Sequence, residues 1–309
     1  MKQTMSEAAK KRKAVVTGGA GFIGSHLTDV LIEEGYQVEV VDNLYKGKLE
    51  NVNPKANFHK IDIRDLDSLK KILSGAELVF HTAAIARVQY SIEHPVETSS
   101  VNVLGTVNVL VSAHEGGVKR VVYSASSSAY GDQPTMPLRE DMPPRPKSPY
   151  GLQKYTGELF CKTWSEVYGL QTVCLRYFNV YGPRLDPEGD YALAVGKFLK
   201  QRKENKPLTV TGDGTQTRDF THVKDVVRAN LLAAYSQKVG KGETINIGAG
   251  RNVSINRLAE LIGGPVVHIT PRLEPHDTLA DNSKARKILD WEPEIRIEEG
   301  LEELKRLYL

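Results

Sequence analysis

The stretch "AVVTGGAGFIGSHLTDVLIEEG" constrains the fold more than any other part of the chain. A short apolar run ends in glycines, and apolar residues then recur with helical spacing until Gly35. Between the two, Gly18, Gly21 and Gly24 stand at the spacing GxxGxxG. Glycines at such a turn let the backbone approach a pyrophosphate and bring the helix close to the strand. The stretch therefore predicts the first β-α unit of a dinucleotide-binding fold.

A carboxylate follows the glycines at the distance that dinucleotide-binding folds use. Asp42 ends the second strand-like run, "VEVVD", where it can accept a hydrogen bond from an adenosine ribose hydroxyl. A carboxylate there repels a 2′-phosphate, so NAD is favoured over NADP. Asp62 ends the third run, "KIDI", and either meets the adenine or is an ordinary strand-end aspartate. We therefore favour dinucleotide binding over a fold that has lost its ligand.

Strand-like and helix-like segments alternate through the first half of the chain. Apolar runs such as "ELVFHTAA", "KRVVYSAS" and "QTVCLRYF" are separated by loops or by helix candidates, among them Leu66–Leu73, Pro95–His114 and Tyr150–Tyr168. Apolar strands that alternate with helices favour a parallel sheet covered on both faces. We expect an α/β fold with a doubly wound parallel sheet, the Rossmann arrangement.

The character of the chain changes after Asn179. "VYGPRLDPEGDYA" is rich in proline, glycine and charge and indicates a loop, and only short elements follow until "ETINIG". We expect a smaller, partly interwoven α/β substrate lobe, with Val223–Tyr235 and "ETINIG" returning to the main sheet. The expected division is a basic tail at 1–13, an NAD-binding domain at 14–178 with about 222–249, and a substrate lobe at 179–221 with about 250–309.

Composition and charge exclude several classes of protein. The chain is 40% hydrophobic and 26% charged with a net charge of +3, which is typical of globular proteins. The run "KKRK" at Lys10–Lys13 has no accompanying groove-binding motif, so it is interpreted as a solvated tail and no nucleic-acid partner is expected. Without a membrane-length apolar run or a secretory core, we expect a cytoplasmic protein with no membrane partner. Cys161 and Cys174 are expected to be buried thiols, with no metal site.

Hydroxyl and amine side chains gather around the end of the strand "KRVVYSAS". The stretch "YSASSSAYGD" places four serines directly after the apolar run. In "SPYGLQKYTGELF", Ser148-Pro149 predicts a helix start, and Tyr150 and Lys154 then share one helix face. A tyrosine pKa of about 10 is too high for a base at neutral pH, but a neighbouring ammonium favours the phenolate and lowers that pKa. The pair predicts a general base at this end of the sheet.

Together these motifs resemble the extended short-chain dehydrogenase/reductase superfamily. The later stretches "LRYFNVYGPR", "GDGTQTRDFTHVKDV" and "LADNSKARKIL" are similar to its nucleotide-sugar epimerase branch. The resemblance implies reversible epimerisation at C4 of a UDP-hexose, UDP-glucose or UDP-galactose, through a 4-keto intermediate with tightly bound NAD. It also implies a homodimer that pairs Pro95–His114 and Tyr150–Tyr168 of each subunit.

The resemblance assigns roles to individual residues. Tyr150 is implied to be the catalytic base, Lys154 its partner, and Ser126 the residue that hydrogen-bonds the 4-oxygen. Asn102 either lies near the cofactor or is an ordinary polar residue on a helix face. The full set of implied cofactor contacts is Gly18, Gly21, Phe22, Ile23, Gly24, Asp42, Asn43, Leu44, Asp62, Ile63, Ala83, Asn102, Tyr150, Lys154 and Tyr177.

A second implied set would contact the substrate. Arg218 and Arg272 match phosphate-binding arginines, whose fixed fork of donors suits a diphosphate. Arg272 lies one residue nearer to the "DNSKA" aspartate than the family spacing, so His276 or a shifted loop can share its role. The implied substrate contacts are Ser126, Ser127, Asn179, Arg218, Arg272 and Thr278. Ser127 either meets the sugar or caps its turn.

Resemblance also separates the candidate reactions. Related 4,6-dehydratases carry an acidic pair where this chain has Ser127, Ser128 and Ala129, so dehydration is not expected. Thr278 stands where glucose-restricted members carry a bulky tyrosine, which implies room for the N-acetyl group of UDP-GlcNAc and UDP-GalNAc.

Asn179 is typical of members that act on neutral sugars. The loop "AAIARVQYSIEHP", however, resembles that of the glucuronate enzymes, in which case Arg87 either meets a carboxylate or is a surface residue. The alternatives are a UDP-glucuronate 4-epimerase, another NAD-dependent nucleotide-sugar oxidoreductase, and a non-catalytic dinucleotide-sensing protein.

Overall fold

A seven-stranded parallel sheet forms the centre of the molecule. The computed structural model describes residues 12–187, 194–270 and 276–309, and its strands and helices are numbered in chain order. The sheet has the order β11-β6-β5-β4-β1-β2-β3. Its strands are β1 (Lys13–Thr17), β2 (Gln37–Asp42), β3 (Asn57–Lys60), β4 (Leu78–His81), β5 (Arg120–Ser126), β6 (Gln171–Tyr177) and β11 (Lys241–Ile247).

Helices cover both faces of this sheet because alternate strand residues point to opposite faces. Val16 packs with Leu27 on one face, and Val15 packs with Leu69 and Leu110 on the other. The first face carries α1 (Phe22–Glu33) and α8 (Val223–Tyr235), and the second carries α2 (Leu66–Leu73), α5 (Gly105–Glu115) and α6 (Pro149–Tyr168). This is the doubly wound Rossmann arrangement that the sequence predicts.

Two shorter helices lead into α5 from the carboxyl end of β4. They are α3 (Val88–Glu93) and α4 (Pro95–Ser99). A π-helical stretch, Ser100–Leu104, joins α4 to α5, so the predicted helix Pro95–His114 is one continuous helical segment with a wider turn inside it. That turn places Asn102 in the interior.

A smaller lobe stands at the carboxyl edge of the main sheet and has its own core. Phe198, Leu208, Leu258 and Leu301 are buried together in it. Its pairs of short strands are β7 (Val180–Tyr181) with β10 (Thr221–His222), β8 (Leu208–Thr211) with β13 (Val266–Ile269), and β9 (Thr217–Asp219) with β12 (Asn252–Ser254). Its helices are α7 (Ala194–Lys203), α9 (Ile255–Ile262) and α11 (Ile297–Tyr308), whereas α10 (Ser283–Leu289) packs against β11 and α8 of the main domain.

Two details differ from the sequence expectation, and one expectation is confirmed. The predicted loop after Asn179 contains the short strand β7, and β3 ends at Lys60, so Asp62 lies two residues beyond the strand. Cys161 and Cys174 are free and buried, as predicted. In the described ranges, no helix is both long and apolar enough to cross a membrane.

Candidate functional site

The glycine turn between β1 and α1 is packed too tightly for side chains at two of its three positions. Gly18 has φ +74°, and a Cβ there would lie 2.7 Å from the Ala83 backbone nitrogen. A Cβ on Gly24 would overlap the Gly18 carbonyl oxygen. Gly21 is different, because its Cβ would meet only the Gly18 oxygen, at 3.1 Å. Gly18 and Gly24 thus close the turn, and Gly21 faces space where a pyrophosphate fits.

Phe22 and Ile23 begin α1 directly after this turn and are partly buried against the first core. Their backbone N–H groups belong to the first turn of the helix, where no earlier carbonyl is available to accept them. The positive end of the helix dipole therefore lies at the glycine turn. An anionic pyrophosphate fits this end of α1.

Asp42 is buried at the end of β2, beside the glycine turn. Its carboxylate accepts from the backbone nitrogens of Ala20, at 3.1 Å, and Leu44, at 2.8 Å. Leu44 has the left-handed φ of 61° that this short loop requires. Burial raises the pKa of Asp42, and the two backbone N–H groups oppose that rise. The residues at this position suit a ribose hydroxyl as the next hydrogen-bond donor.

The neighbouring loop after β3 supplies the other predicted adenosine contacts. The Asp62 carboxylate accepts from Arg64 Nη2 at 2.8 Å and from Asn43 Nδ2 at 2.9 Å. Hydrogen bonding to Arg64 lowers the pKa of Asp62 to about 2. Ile63 is buried where α5 begins and touches the bare backbone of Gly105. Asp62 and Asn43 therefore form one polar edge, with Ile63 as its apolar support.

The serine-rich strand end and the start of α6 bring the three predicted catalytic residues together. Ser148 caps the helix by accepting from the Gly151 backbone nitrogen at 3.1 Å. Tyr150 is half-buried one residue into the helix, and a hydrogen bond with Ser126 opposes the rise in its pKa that burial causes. The Lys154 Nζ donates to the Ser124 carbonyl at 2.8 Å. Burial lowers the pKa of Lys154 to about 8.

Ser127 follows in a short turn after β5, and Ser126 caps that turn. The Ser126 Oγ accepts from the Ser128 backbone nitrogen at 3.1 Å. Ser127 is half-buried beside it. Ser126, and not Ser127, therefore caps this turn. The contact of Ser127 with a sugar stays a prediction.

Asn102 is buried and ties the loop after β4 to α6. Its amide nitrogen donates to the Ile85 carbonyl at 3.1 Å and to Gln153 Oε1 at 2.8 Å, and its oxygen accepts from the Ile85 nitrogen at 2.8 Å. Ala83 lies two residues earlier in the same loop, against Gly18. Asn102 is therefore an interior residue rather than an ordinary residue on a helix face, and it fixes the loop after β4 against Gln153 of α6.

Tyr177 ends β6 next to the catalytic group. Its hydroxyl lies 3.1 Å from Ser124 Oγ and donates to Asn230 Oδ1 at 2.9 Å. Burial raises its pKa to about 12. Tyr177 is thus a neutral phenol that links β5, β6 and α8 beneath the site.

In the smaller lobe, Asn179 and Thr278 are brought together. Asn179 Nδ2 donates to the Thr278 hydroxyl at 3.4 Å and to the Asp219 carbonyl at 3.2 Å. Asn179 has φ 29°, so the chain turns sharply as it leaves the main sheet. The two side chains that the family resemblance links to the choice of sugar therefore lie in contact with each other.

Arg218 lies on β9, which pairs with β12 in the same lobe. Its Nη1 donates to the carbonyls of Thr217, at 2.8 Å, and His276, at 3.0 Å. His276 is exposed and its Nδ1 lies 2.9 Å from Asp277. Arg272 lies outside the described residues.

Arg87 occupies a position that its sequence context did not indicate. Only 21% of its side chain is exposed, and its Nη2 lies 3.9 Å from Asp186 Oδ2. Asp186 belongs to the loop that follows β7, whereas Arg87 immediately precedes α3. Arg87 is therefore a half-buried residue whose side chain reaches from the main domain to the loop after β7, and its contact with a substrate carboxylate stays a prediction.

Sequence reasoning missed two residues that organise the site. Ser124 supplies the carbonyl that holds Lys154, although its serine cluster was recognised. Asp219 is fully buried and accepts from the backbone nitrogens of Ala249, Gly250 and Ala280 at 2.7, 3.0 and 2.9 Å. Burial raises its pKa to about 6. The sequence predicted a role for its neighbour Arg218, but the partners of Asp219 are too distant in sequence to produce a local pattern.

Comparisons with known proteins agree with this geometry. The model of the NAD dependent epimerase/dehydratase family matches residues 14–248. The chain is 42% identical to a putative UDP-glucose 4-epimerase of Methanocaldococcus jannaschii, over 93% of this chain and 95% of the relative. It is 39% identical to a UDP-glucuronate 4-epimerase of Thermodesulfobacterium geofontis, over 93% of each chain.

A solved structure extends the similarity to a third substrate. The UDP-N-acetylglucosamine 4-epimerase of Methanobrevibacter ruminantium M1, in complex with UDP-N-acetylmuramic acid, superposes with a TM-score of 0.91 at 38% identity. The match covers 96% of this chain and 98% of that one. Relatives of similar closeness thus act on different UDP-sugars.

Proposed function

The chain belongs to the NAD-dependent epimerase/dehydratase family, and from this membership we propose that it epimerises UDP-sugars at C4. Its substrates would be UDP-glucose and UDP-galactose, and also UDP-GlcNAc and UDP-GalNAc. The observation that carries the proposal is the assembly of Ser126, Tyr150 and Lys154 at the carboxyl end of β5, on the same edge of the parallel sheet as the glycine turn. The proposed NAD-binding part is 14–178 with about 222–249, and the proposed substrate lobe is 179–221 with about 250–309.

The residues around the glycine turn fit NAD. Gly18 and Gly24 form a tight turn that has no room for a Cβ at either position, and the N-terminus of α1 lies at this turn. The Asp42 carboxylate, beside Ala20, would accept a hydrogen bond from a ribose hydroxyl. Asn43, Leu44, Asp62 and Ile63 would surround the adenosine, while Ala83, Asn102 and Tyr177 would support the nicotinamide end. When bound, NAD supplies reversible two-electron oxidation at C4.

The chain's own residues would manage the proton and the sugar. Tyr150 would take the proton of the 4-hydroxyl onto its phenolate oxygen and return it when the alcohol forms again. Ser126 would hold the 4-oxygen throughout, a fixed polar contact that gains strength where water is excluded. The Lys154 ammonium stabilises the phenolate by its charge. Arg218, with Arg272, would hold the diphosphate while the sugar ring turns over.

The wall formed by Asn179 and Thr278 supports the choice of neutral sugars. Both side chains are uncharged, and each hydrogen-bonds backbone or the other. The small side chain of Thr278 would leave room for an N-acetyl group. Ser127, which follows the carboxyl end of β5, would contact the sugar from the main domain.

UDP-glucuronate is the competing substrate, because one close relative acts on it and Arg87 is a cation near the cleft. Arg87 would first have to exchange the Asp186 carboxylate for that of the sugar.

An NMR time course of the purified protein with each UDP-sugar, without added cofactor, tests the proposal. We expect the galacto epimers to appear from UDP-glucose and UDP-GlcNAc. Tyr150→Phe should slow both conversions by roughly 10²–10⁴-fold, whereas Tyr155→Phe, on the same helix, should leave them unchanged. Conversion of UDP-glucuronate alone would favour the competing substrate. Absence of any conversion, even with NAD supplied, would reject the epimerase.

Two copies of the chain are proposed to pair through the exposed apolar face of α4, α5 and α6. Val96, Leu104, Leu152 and Leu159 are exposed on it. Val96, Leu104 and Leu152 line one shallow groove between these helices. Exposed apolar side chains that lie together are typical of an interface between subunits.

A further inference from the structure

A third residue continues the row that Tyr150 and Lys154 begin on α6. Glu158 follows Lys154 by four residues, so Tyr150, Lys154 and Glu158 lie on one helix face. Only 4% of Lys154 and 4% of Glu158 is exposed. Glutamate and lysine are almost never this deeply buried without a partner. The burial of both raises the question of which charges compensate them.

Glu158 is held rigidly by Arg176 of β6. The guanidinium Nε and Nη2 donate to the two carboxylate oxygens at 2.8 and 2.7 Å. The same guanidinium lies 4.4 Å from the centre of the Tyr130 ring, and the Tyr130 hydroxyl donates to Asn246 Oδ1 at 2.7 Å. The fork geometry of this pair fixes the direction of the Glu158 carboxylate.

Lys154 has no such partner of its own. Among the ion pairs of the described residues, none involves the Lys154 ammonium, which donates to a backbone carbonyl and lies 5.0 Å from the centre of the Tyr123 ring. The titratable groups around it are His81 of β4, Tyr123 of β5, Tyr177 of β6, and Tyr150, Glu158 and Cys161 of α6.

Three of these neighbours, His81, Tyr123 and Tyr177, are uncharged near neutral pH. Burial lowers the pKa of His81 to about 3 and raises the pKa of Tyr123. Burial dominates at Lys154 itself and lowers its pKa, while Cys161 and then Glu158 act in the opposite direction. Glu158 is the carboxylate that can offset the buried ammonium.

We propose that Glu158, fixed by Arg176, is a positioning residue that keeps Lys154 protonated beside Tyr150. Glu158 stands one helical turn from Lys154 on α6, whereas Arg176 stands on β6, so the negative partner of the pair would be the nearer one and would offset the ammonium. Without Glu158, the ammonium would lose its proton at lower pH, and the Tyr150 phenolate would lose the charge that stabilises it. The inference rests on the proposed function through the role of Tyr150.

An NMR titration of the purified holoprotein, labelled with ¹³C at the lysine Cε, measures this ionisation directly. The Lys154 signal is assigned by its loss in Lys154→Arg. In Glu158→Gln its midpoint should fall by about one pH unit, the effect of removing a unit charge one helical turn away. Glu166→Gln removes an exposed carboxylate two turns further along α6 and should leave the midpoint unchanged.

The double variant Glu158→Gln/Arg176→Met guards against a folding defect, because Glu158→Gln alone leaves a buried guanidinium unpaired. We expect the same lowered midpoint in it, and an alkaline limb of the kcat profile displaced to lower pH with KM little changed. An unmoved midpoint in the folded double variant overturns the proposal. If the wild type fails to epimerise, the proposed function fails, but the titration still tests the link between Glu158 and Lys154.

Discussion

Thr278 gives a prediction at the scale of one residue, because under the proposed function its side chain sets the width of the sugar site. It is half-buried, and its hydroxyl contacts the Asn179 amide and the Asp219 backbone nitrogen. Thr278→Tyr should lower kcat/KM for UDP-GlcNAc by at least 10-fold, because the ring would fill the volume that an N-acetyl group needs. Turnover of UDP-glucose should change by less than about threefold, and Thr278→Ser should preserve both substrates. Steady-state assays of the three proteins measure this, and full N-acetyl turnover in Thr278→Tyr would contradict it.

Residues whose chemistry follows from local spacing were predictable, and those placed by distant contacts were not. Tyr150 and Lys154 share a face because of the helical repeat, so four positions of sequence suffice to predict their proximity. Asp219 holds loops that lie 30 and 61 positions away. Arg87 meets Asp186 across two lobes. No local pattern encodes such partners, and the roles of these residues required the structure.

At the scale of elements, the junction of β1 with α1 depends on how closely the helix approaches the strand. A methyl group at Gly24 would overlap the Gly18 carbonyl, a backbone atom that cannot move aside. Gly24→Ala should therefore destabilise the protein by about 1–3 kcal/mol and also weaken NAD binding. Gly21→Ala meets only one atom, at 3.1 Å, so it should change the apo stability little while reducing NAD affinity. Denaturant melts and calorimetric NAD titrations separate the two effects, and equal stability losses would refute the distinction.

Element types were predictable here because their periodicity is strong, while their spatial order was only partly so. Leu66–Leu73 begins and ends as the pattern predicts, and buried apolar strands separated by helices give a parallel sheet. The return of Lys241–Ile247 to the main sheet was expected, although its pairing with Gln171–Tyr177 was not. The short pairs of the smaller lobe were not, because strands of two to four residues carry too few side chains to show an alternation.

At the scale of the whole molecule, the two lobes carry different groups of predicted site residues. The main sheet presents its carboxyl edge with the glycine turn, Asp42 and the Tyr150 group, and the smaller lobe presents Asn179, Arg218 and Thr278 above it. Asp219 joins the smaller lobe to the loop after β11, which belongs to the main sheet. A sugar ring held between them would be able to turn over while both lobes keep their own cores.

The apolar face of α4, α5 and α6 gives the last prediction. Leu152 and Leu159 lie seven residues apart on α6 and are 54% and 47% exposed, so they project from one side of the helix. Light scattering should give the wild type a mass of about twice 34.2 kDa, and Leu152→Glu/Leu159→Glu should give the single mass, because four carboxylates would meet at the twofold interface. Val267→Glu, at an exposed apolar position on β13, should leave the dimer intact. A monomeric wild type would reject the proposed dimer, and a dimer that survives the double change would place its contact elsewhere.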